Sequence, residues 1–96
     1  MRYVLMFETR YASLEDALRQ VAPEIRAHLA RTREFHARRV LLDAGAFRDA
    51  DAPLSTMAIF TSREAAQEYA PGNPFVLNGM VKSWSIHEWA DALGRL

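Results

Sequence analysis

The sequence predicts an α+β fold, a single antiparallel sheet carrying helices on one face. Three observations predict it. Compact apolar runs with strand character occur at Tyr3–Phe7, Val40–Leu42, Thr56–Thr61 and Met80–His87. Apolar residues recur at helical spacing between the first and second runs and again between the third and fourth. Hydroxyl residues followed three positions later by a carboxylate precede the helical segments, as at Ser13/Asp16 and Thr61/Glu64.

Tyr3–Phe7, flanked by Arg2 and Glu8, reads as a strand buried on both faces. Ser13 then caps a short helix carrying Leu14, Ala17, Leu18 and Val21. Pro23 divides it from a second helix, Glu24 to about Arg39, because proline suits a first helical turn and breaks an interior. Ile25, Leu29, Thr32 and His36 share one line of that helix, flanked by His28 and Phe35, while Arg38 and Arg39 suit its negative C-terminal end. Val40–Leu42 is a short strand ended by Gly45, and residues 48–53 form a polar connection. Thr56–Thr61 alternates as a third strand. Thr61 with Glu64 opens a short helix with Ala65, Ala66 and Tyr69 on its inner face, stopped by Pro71 and Gly72. Pro74 restricts Asn73 to an extended conformation, and Phe75–Leu77 supply an apolar anchor. Met80–His87 alternates as the last strand, followed by a tail that is a short helix or a frayed end. Strand, helix, strand, strand, helix, strand is the ferredoxin-like split βαββαβ arrangement. Helices on one face leave the other needing cover, so a homodimer through that face is expected.

The 96 residues form one domain, 1–96, with half of them apolar. Twelve basic residues balance twelve acidic ones, which argues against nucleic acid or a membrane surface as partner. Residues 24–39 hold five arginines against two glutamates, an excess read as helix solvation. Cysteine is absent, which excludes disulfides and thiolate ligands and fits a cytoplasmic location. No signal peptide or membrane-spanning run is expected.

The candidates for chemistry are few. His28, at the edge of the apolar stripe, is either a partly buried acid–base group or a satisfied core-edge histidine. His36 stands two turns on, about 12 Å in rise, too far to share an ion with His28, and is read as packed or capping. His87 faces a possible dimer cleft. No metal or phosphate motif is present, so neither metal nor cofactor is expected. Ser55, before the third strand, satisfies backbone groups or serves a site. Asn73 either bonds its own backbone or projects its amide to a pocket. Tyr3, Phe7, Phe60, Phe75, Trp84 and Trp89 suit a core, an interface or the wall of an aromatic-ligand pocket.

Four pieces of the chain, RYVLMFE, RAHLARTREFHARRVLLDAG, STMAIFTSREAAQEYA and NPFVLNGMVKSWSI, together resemble the YCII-related family in order and spacing. The resemblance implies a dimeric α+β barrel similar to muconolactone isomerases. It places the family's helix histidine at His28, its strand-opening serine at Ser55, and its Asp-Pro-Tyr-like turn at Asn73-Pro74-Phe75. The departure is Asn73, which cannot take up a proton or hold negative charge as the family's aspartate does. Some relatives are associated with aromatic breakdown, including loss of chloride from chlorinated hydroxyquinols. The resemblance therefore implies a cofactor-independent lyase or isomerase in which His28 assists proton transfer on a phenolic, hydroxyquinol or lactone ring, with dehydrochlorination as one form. The alternative is a non-catalytic dimer that binds a small aromatic ligand or acts as a regulator.

Overall fold

A computed structural model describes residues 1–20, 22–48 and 53–93. Its elements are β1 (Arg2–Thr9), α1 (Leu14–Gln20), α2 (Ala22–Ala37), β2 (Leu41–Ala46), β3 (Ser55–Phe60), α3 (Arg63–Tyr69), α4 (Pro74–Leu77) and β4 (Val81–Trp89). The sheet order is β2-β3-β1-β4 with every pair antiparallel, a ferredoxin-like α+β fold. Register assigns the faces. Tyr3, Leu5 and Phe7 share the helix side with Phe60, Ala58 and Thr56 of β3 and with Glu88, Ile86 and Trp84 of β4. Val4, Met6, Met57, Ile59, His87 and Trp89 share the opposite face, which no helix covers among the described residues.

Two buried clusters hold the layers together. The larger centres on Leu5, Phe7, Phe35, Leu41, Phe60 and Tyr69, and the smaller joins Tyr11, Ala17 and Leu54. Phe35, Phe60 and Tyr69 meet mostly edge to face, with centroids 5.1–6.5 Å apart.

Local signals explain most element ends. Asp16 N–H donates to Ser13 Oγ at 3.1 Å, the predicted cap, while the Asp16 carboxylate reaches back one residue further than a capping box requires and accepts from Ala12 N–H. Pro23 stands in the first turn of α2, where a missing N–H costs nothing. α2 ends at Ala37, short of Arg39, because Arg39 turns left-handed at φ 64°. Arg39 N–H bonds His36 carbonyl and Val40 N–H bonds Phe35 carbonyl, the two bonds of a Schellman stop. His36, expected to pack or cap, points to solvent.

Four expectations are corrected. β2 does not end at Gly45 but passes through it to Ala46, since an edge strand tolerates glycine and Gly45 pairs with Met57. β3 starts one residue early, at Ser55. The cap of α3 is Ser62, whose Oγ accepts from Ala65 N–H, while Thr61 stays tied to the sheet edge by its N–H to the Val40 carbonyl. Phe75–Leu77 forms a helical turn and not a bare anchor, with Phe75 buried and Leu77 70% exposed. Val21, most of the 48–53 connection and the end of the tail lie outside the described residues.

Candidate functional site

Between the helices and the sheet lies a cavity of about 230 Å³. Its floor is Leu5, Phe7, Thr56 and Ala58 from β1 and β3, with the small residues Ala44, Gly45 and Ala46 of β2 beside them. Its roof comes from α1 and α2, through Leu14, Leu18, Ile25, His28, Leu29 and Thr32. Leu18 and Leu29 are 52% and 42% exposed, so they form the rim where the cavity meets solvent. The walls are overwhelmingly apolar. An apolar cavity of about 150 Å³ accommodates benzene, so this one has room for a single substituted ring.

His28 is the titratable imidazole in that wall. Its ring stacks on Phe75, centroids 4.5 Å apart and planes 18° from parallel. Its Nδ1 lies 2.8 Å from Asn73 Nδ2. Asn73 is fully buried and is the N-cap of α4, with φ −66° and ψ 132°, the extended conformation that Pro74 imposes. Pro74 has no N–H, so the Asn73 side-chain oxygen Oδ1 accepts from Phe75 N–H, at 2.9 Å. One side chain thus closes the turn with its oxygen and holds the histidine with its nitrogen. The backbone bond expected as one role of Asn73 is made by its amide oxygen, while the amide nitrogen reaches the His28 ring and not the cavity, which Asn73 does not line.

A second set of hydroxyls fixes the same corner. Thr32 Oγ1 donates to the His28 carbonyl at 2.8 Å and lies 2.8 Å from Tyr69 Oη. Because the threonine proton is committed to the carbonyl, Tyr69 donates to Thr32. Burial raises the Tyr69 pKa, opposed by its bonds to Thr32 and Asn73. Burial likewise pushes the His28 pKa below the ordinary 6.5, since a cation is costly in an apolar wall. A bond from Asn73 opposes that shift only with an oxygen towards the ring, and the oxygen is held by Phe75. Arg31 secures the turn from outside, donating to the carbonyls of Glu68 at 2.9 Å and Tyr69 at 3.3 Å and lying against Gly72, where an added Cβ would stand 2.5 Å from the guanidinium.

The structure brings together His28, Asn73, Phe7 and Phe75. It does not bring Ser55 to them. Ser55 pairs with Glu8 on the uncovered face, and its Oγ lies 3.4 Å from the Pro53 carbonyl, while its neighbour Thr56 faces the cavity. Tyr3, Phe60 and Trp84 share the helix side but do not line the cavity. Tyr3 lies under the Arg63 guanidinium at 5.2 Å, Phe60 is consumed by the core, and Trp84 sits on edge strand β4, 41% exposed. His87 lies on the uncovered face, bonded to Ser85 at 2.8 Å. Sequence reasoning missed Thr56 and the hydroxyl pair Thr32–Tyr69. The four-residue spacing from His28 to Thr32 was the available signal for the latter.

Comparison with solved structures agrees on the fold. TftG, the 5-chloro-2-hydroxyhydroquinone dehydrochlorinase of Burkholderia phenoliruptrix in complex with 2,5-dihydroxybenzoquinone, superposes with a TM-score of 0.70 at 16% identity, covering 97% of each chain. SnoaB, a cofactor-independent oxygenase from Streptomyces nogalater, gives 0.50 at 18% identity, covering 98% of this chain and 96% of that one. A Mycobacterium tuberculosis protein gives 0.54 at 18% identity, covering 94% of each. No curated protein matches the chain. The sequence of residues 1–90 matches the YCII-related domain, and the chain therefore belongs to the YCII-related family.

Proposed function

We propose that this protein is a small, cofactor-independent lyase- or isomerase-like enzyme acting on a phenolic, hydroxyquinol or lactone ring, with dehydrochlorination as one form of the reaction. One observation carries the reading: a single imidazole, fixed from behind by a buried amide, faces an apolar cavity of one-ring size. The apolar walls suit the faces of a ring, and His28 with Thr56 suits its oxygens. His28 is the group in contact with the reacting ring, Asn73 is a positioning residue, and Ser55 takes no part. The working unit is a homodimer closed through the uncovered sheet face. TftG, whose fold this chain shares, acts on a chlorinated hydroxyquinol, which supports the choice of ring.

The test is a panel of phenols, chlorinated hydroxyquinols and lactones followed by ultraviolet absorbance and chloride release, with wild type and H28A compared on any ring that turns over. We expect H28A to lose about 10²-fold or more in kcat/KM. Undiminished turnover by H28A would remove His28 from the chemistry. Among the described residues the side chain bonded to the His28 ring is an amide and not a carboxylate, which favours a second reading, a binding dimer. It predicts a tight complex with one ring and no product after long incubation.

A further inference from the structure

We infer that Asn73 fixes the neutral His28 imidazole with its proton on Nε2, so that the site selects rings presenting a hydrogen-bond acceptor, such as a phenolate, enolate or quinone-type carbonyl oxygen, over rings presenting a hydroxyl donor. The inference rests on the reading above that the cavity holds a ring, and it goes on to name the form of ring that is held.

The hydrogen-bond network leaves the protons no free choices. Phe75 N–H is a backbone donor and cannot reverse, so the atom of Asn73 facing it at 2.9 Å is the oxygen. The other end of the amide, which can only donate, therefore faces His28 Nδ1 at 2.8 Å. Nδ1 must accept, and a neutral imidazole that accepts at Nδ1 carries its hydrogen at Nε2. The hydroxyls agree. Thr32 donates to the His28 carbonyl and Tyr69 donates to Thr32, so neither hydroxyl competes for the Asn73 oxygen. Turning the Asn73 amide over would set two donors against each other at Phe75 and leave that buried N–H without an acceptor, whichever tautomer the imidazole took.

Asn73 does not line the cavity and His28 does, so Nδ1 is engaged behind the wall and Nε2 is the ring nitrogen left for a ligand. An N–H there binds a phenolate or carbonyl oxygen strongly, whereas a phenol oxygen accepts from it weakly and leaves its own O–H without an acceptor at the imidazole. A neutral imidazole that donates in this way polarises a carbonyl or stabilises an enolate without becoming charged. An aspartate at the same position would accept from Phe75 N–H and from Nδ1–H together. That arrangement moves the proton to Nδ1 and bares the Nε2 lone pair, making the imidazole a base. The single exchange of oxygen for nitrogen at residue 73 thus inverts the hydrogen-bonding sense of the site while preserving its shape.

The experiment has two parts that fail separately. Long-range ¹⁵N–¹H NMR of the histidine rings, on ligand-free wild type above the histidine titration, reads the tautomer directly. The Nε2–H form is expected in wild type and the Nδ1–H form in N73D. An Nδ1–H pattern in wild type overturns the inference, and if N73D fails to fold the wild-type spectrum decides alone. Binding of 4-nitrophenol is then followed by the visible absorbance of its phenolate, across its ionisation. Wild type should hold the phenolate roughly tenfold more tightly than the phenol, the scale of one unmatched buried donor, and N73D should reverse the preference. A wild-type preference for the neutral phenol overturns the acceptor selectivity. No binding of either form, beside an Nε2–H spectrum, would overturn the ring-binding reading and its selectivity while the tautomer stood.

Discussion

At the scale of single residues, His28 makes the stability of the fold depend on pH with a defined sign. Its folded pKa lies below the ordinary 6.5, so the unfolded chain takes up a proton first as pH falls. The contribution is intact above 6.5, declines as pH drops from 6.5 towards the folded value, and is constant below it. Urea midpoints recorded on either side of 6.5 should show the decline in wild type and its loss in a folded H28Q variant. Arg39 offers a second test. It is a residue with a Cβ held at φ 64°, where only glycine and asparagine are at ease. Arg39→Gly should raise stability by about 0.5–1 kcal/mol, read by thermal or urea unfolding. The residue scale also marks where the sequence misleads. Tyr3, Phe60 and Trp84 look like a ring-binding wall by composition. An aromatic side chain fills a core as readily as it lines a hole, and here Phe60 went to the core while Leu5, Leu14, Ile25 and Ala58 line the hole.

At the scale of elements, the sequence was legible wherever a cap or a breaker spoke. Ser13, Pro23 and Pro74 each marked a boundary within a residue or so, because each acts through a backbone N–H. It was less legible where alternation alone had to set the register. Reading β3 from Thr56 instead of Ser55 is a shift of one residue at the strand start, and adjacent residues of a strand face opposite ways. Hence Ser55 proved to face away and Thr56 towards the cavity. The direction of the Asn73 amide was not legible at all, since it is set by Phe75 and His28 together, 45 residues apart in the His28–Asn73 case. Arg31 shows how one element holds another. From α2 it caps the open carbonyl end of α3 and fills the space that Gly72 leaves. Arg31→Ala should cost about 1–3 kcal/mol in urea unfolding, the range for a charged donor on backbone carbonyls. It should also weaken ring binding, because the turn carrying Asn73 loses its outer support.

At the scale of the whole molecule, the uncovered sheet face is the surface on which the proposed dimer would close. Val4, Met6, Met57 and Ile59 lie together on it, an apolar centre bordered by Glu8, Ser85 and His87. Ile59→Glu should convert the expected dimer to monomer in sedimentation equilibrium, because a carboxylate buried against its own copy meets like charge. A wild-type monomer would remove the dimer from the account. The largest consequence comes from the short turn α4. Phe75 meets Tyr11 of the smaller cluster edge to face at 6.0 Å, and Val76 packs on the larger cluster, so the turn bridges the two halves of the interior. The Phe75 amide hydrogen sits at the middle of that bridge, on the Asn73 oxygen. For the imidazole proton to migrate from one nitrogen to the other, the amide must rotate, and it rotates only when that hydrogen is released. Release of that one backbone proton therefore precedes any switch of the site from donor to base by amide rotation, and deuterium uptake at Phe75 sets an upper limit on how often that switch occurs.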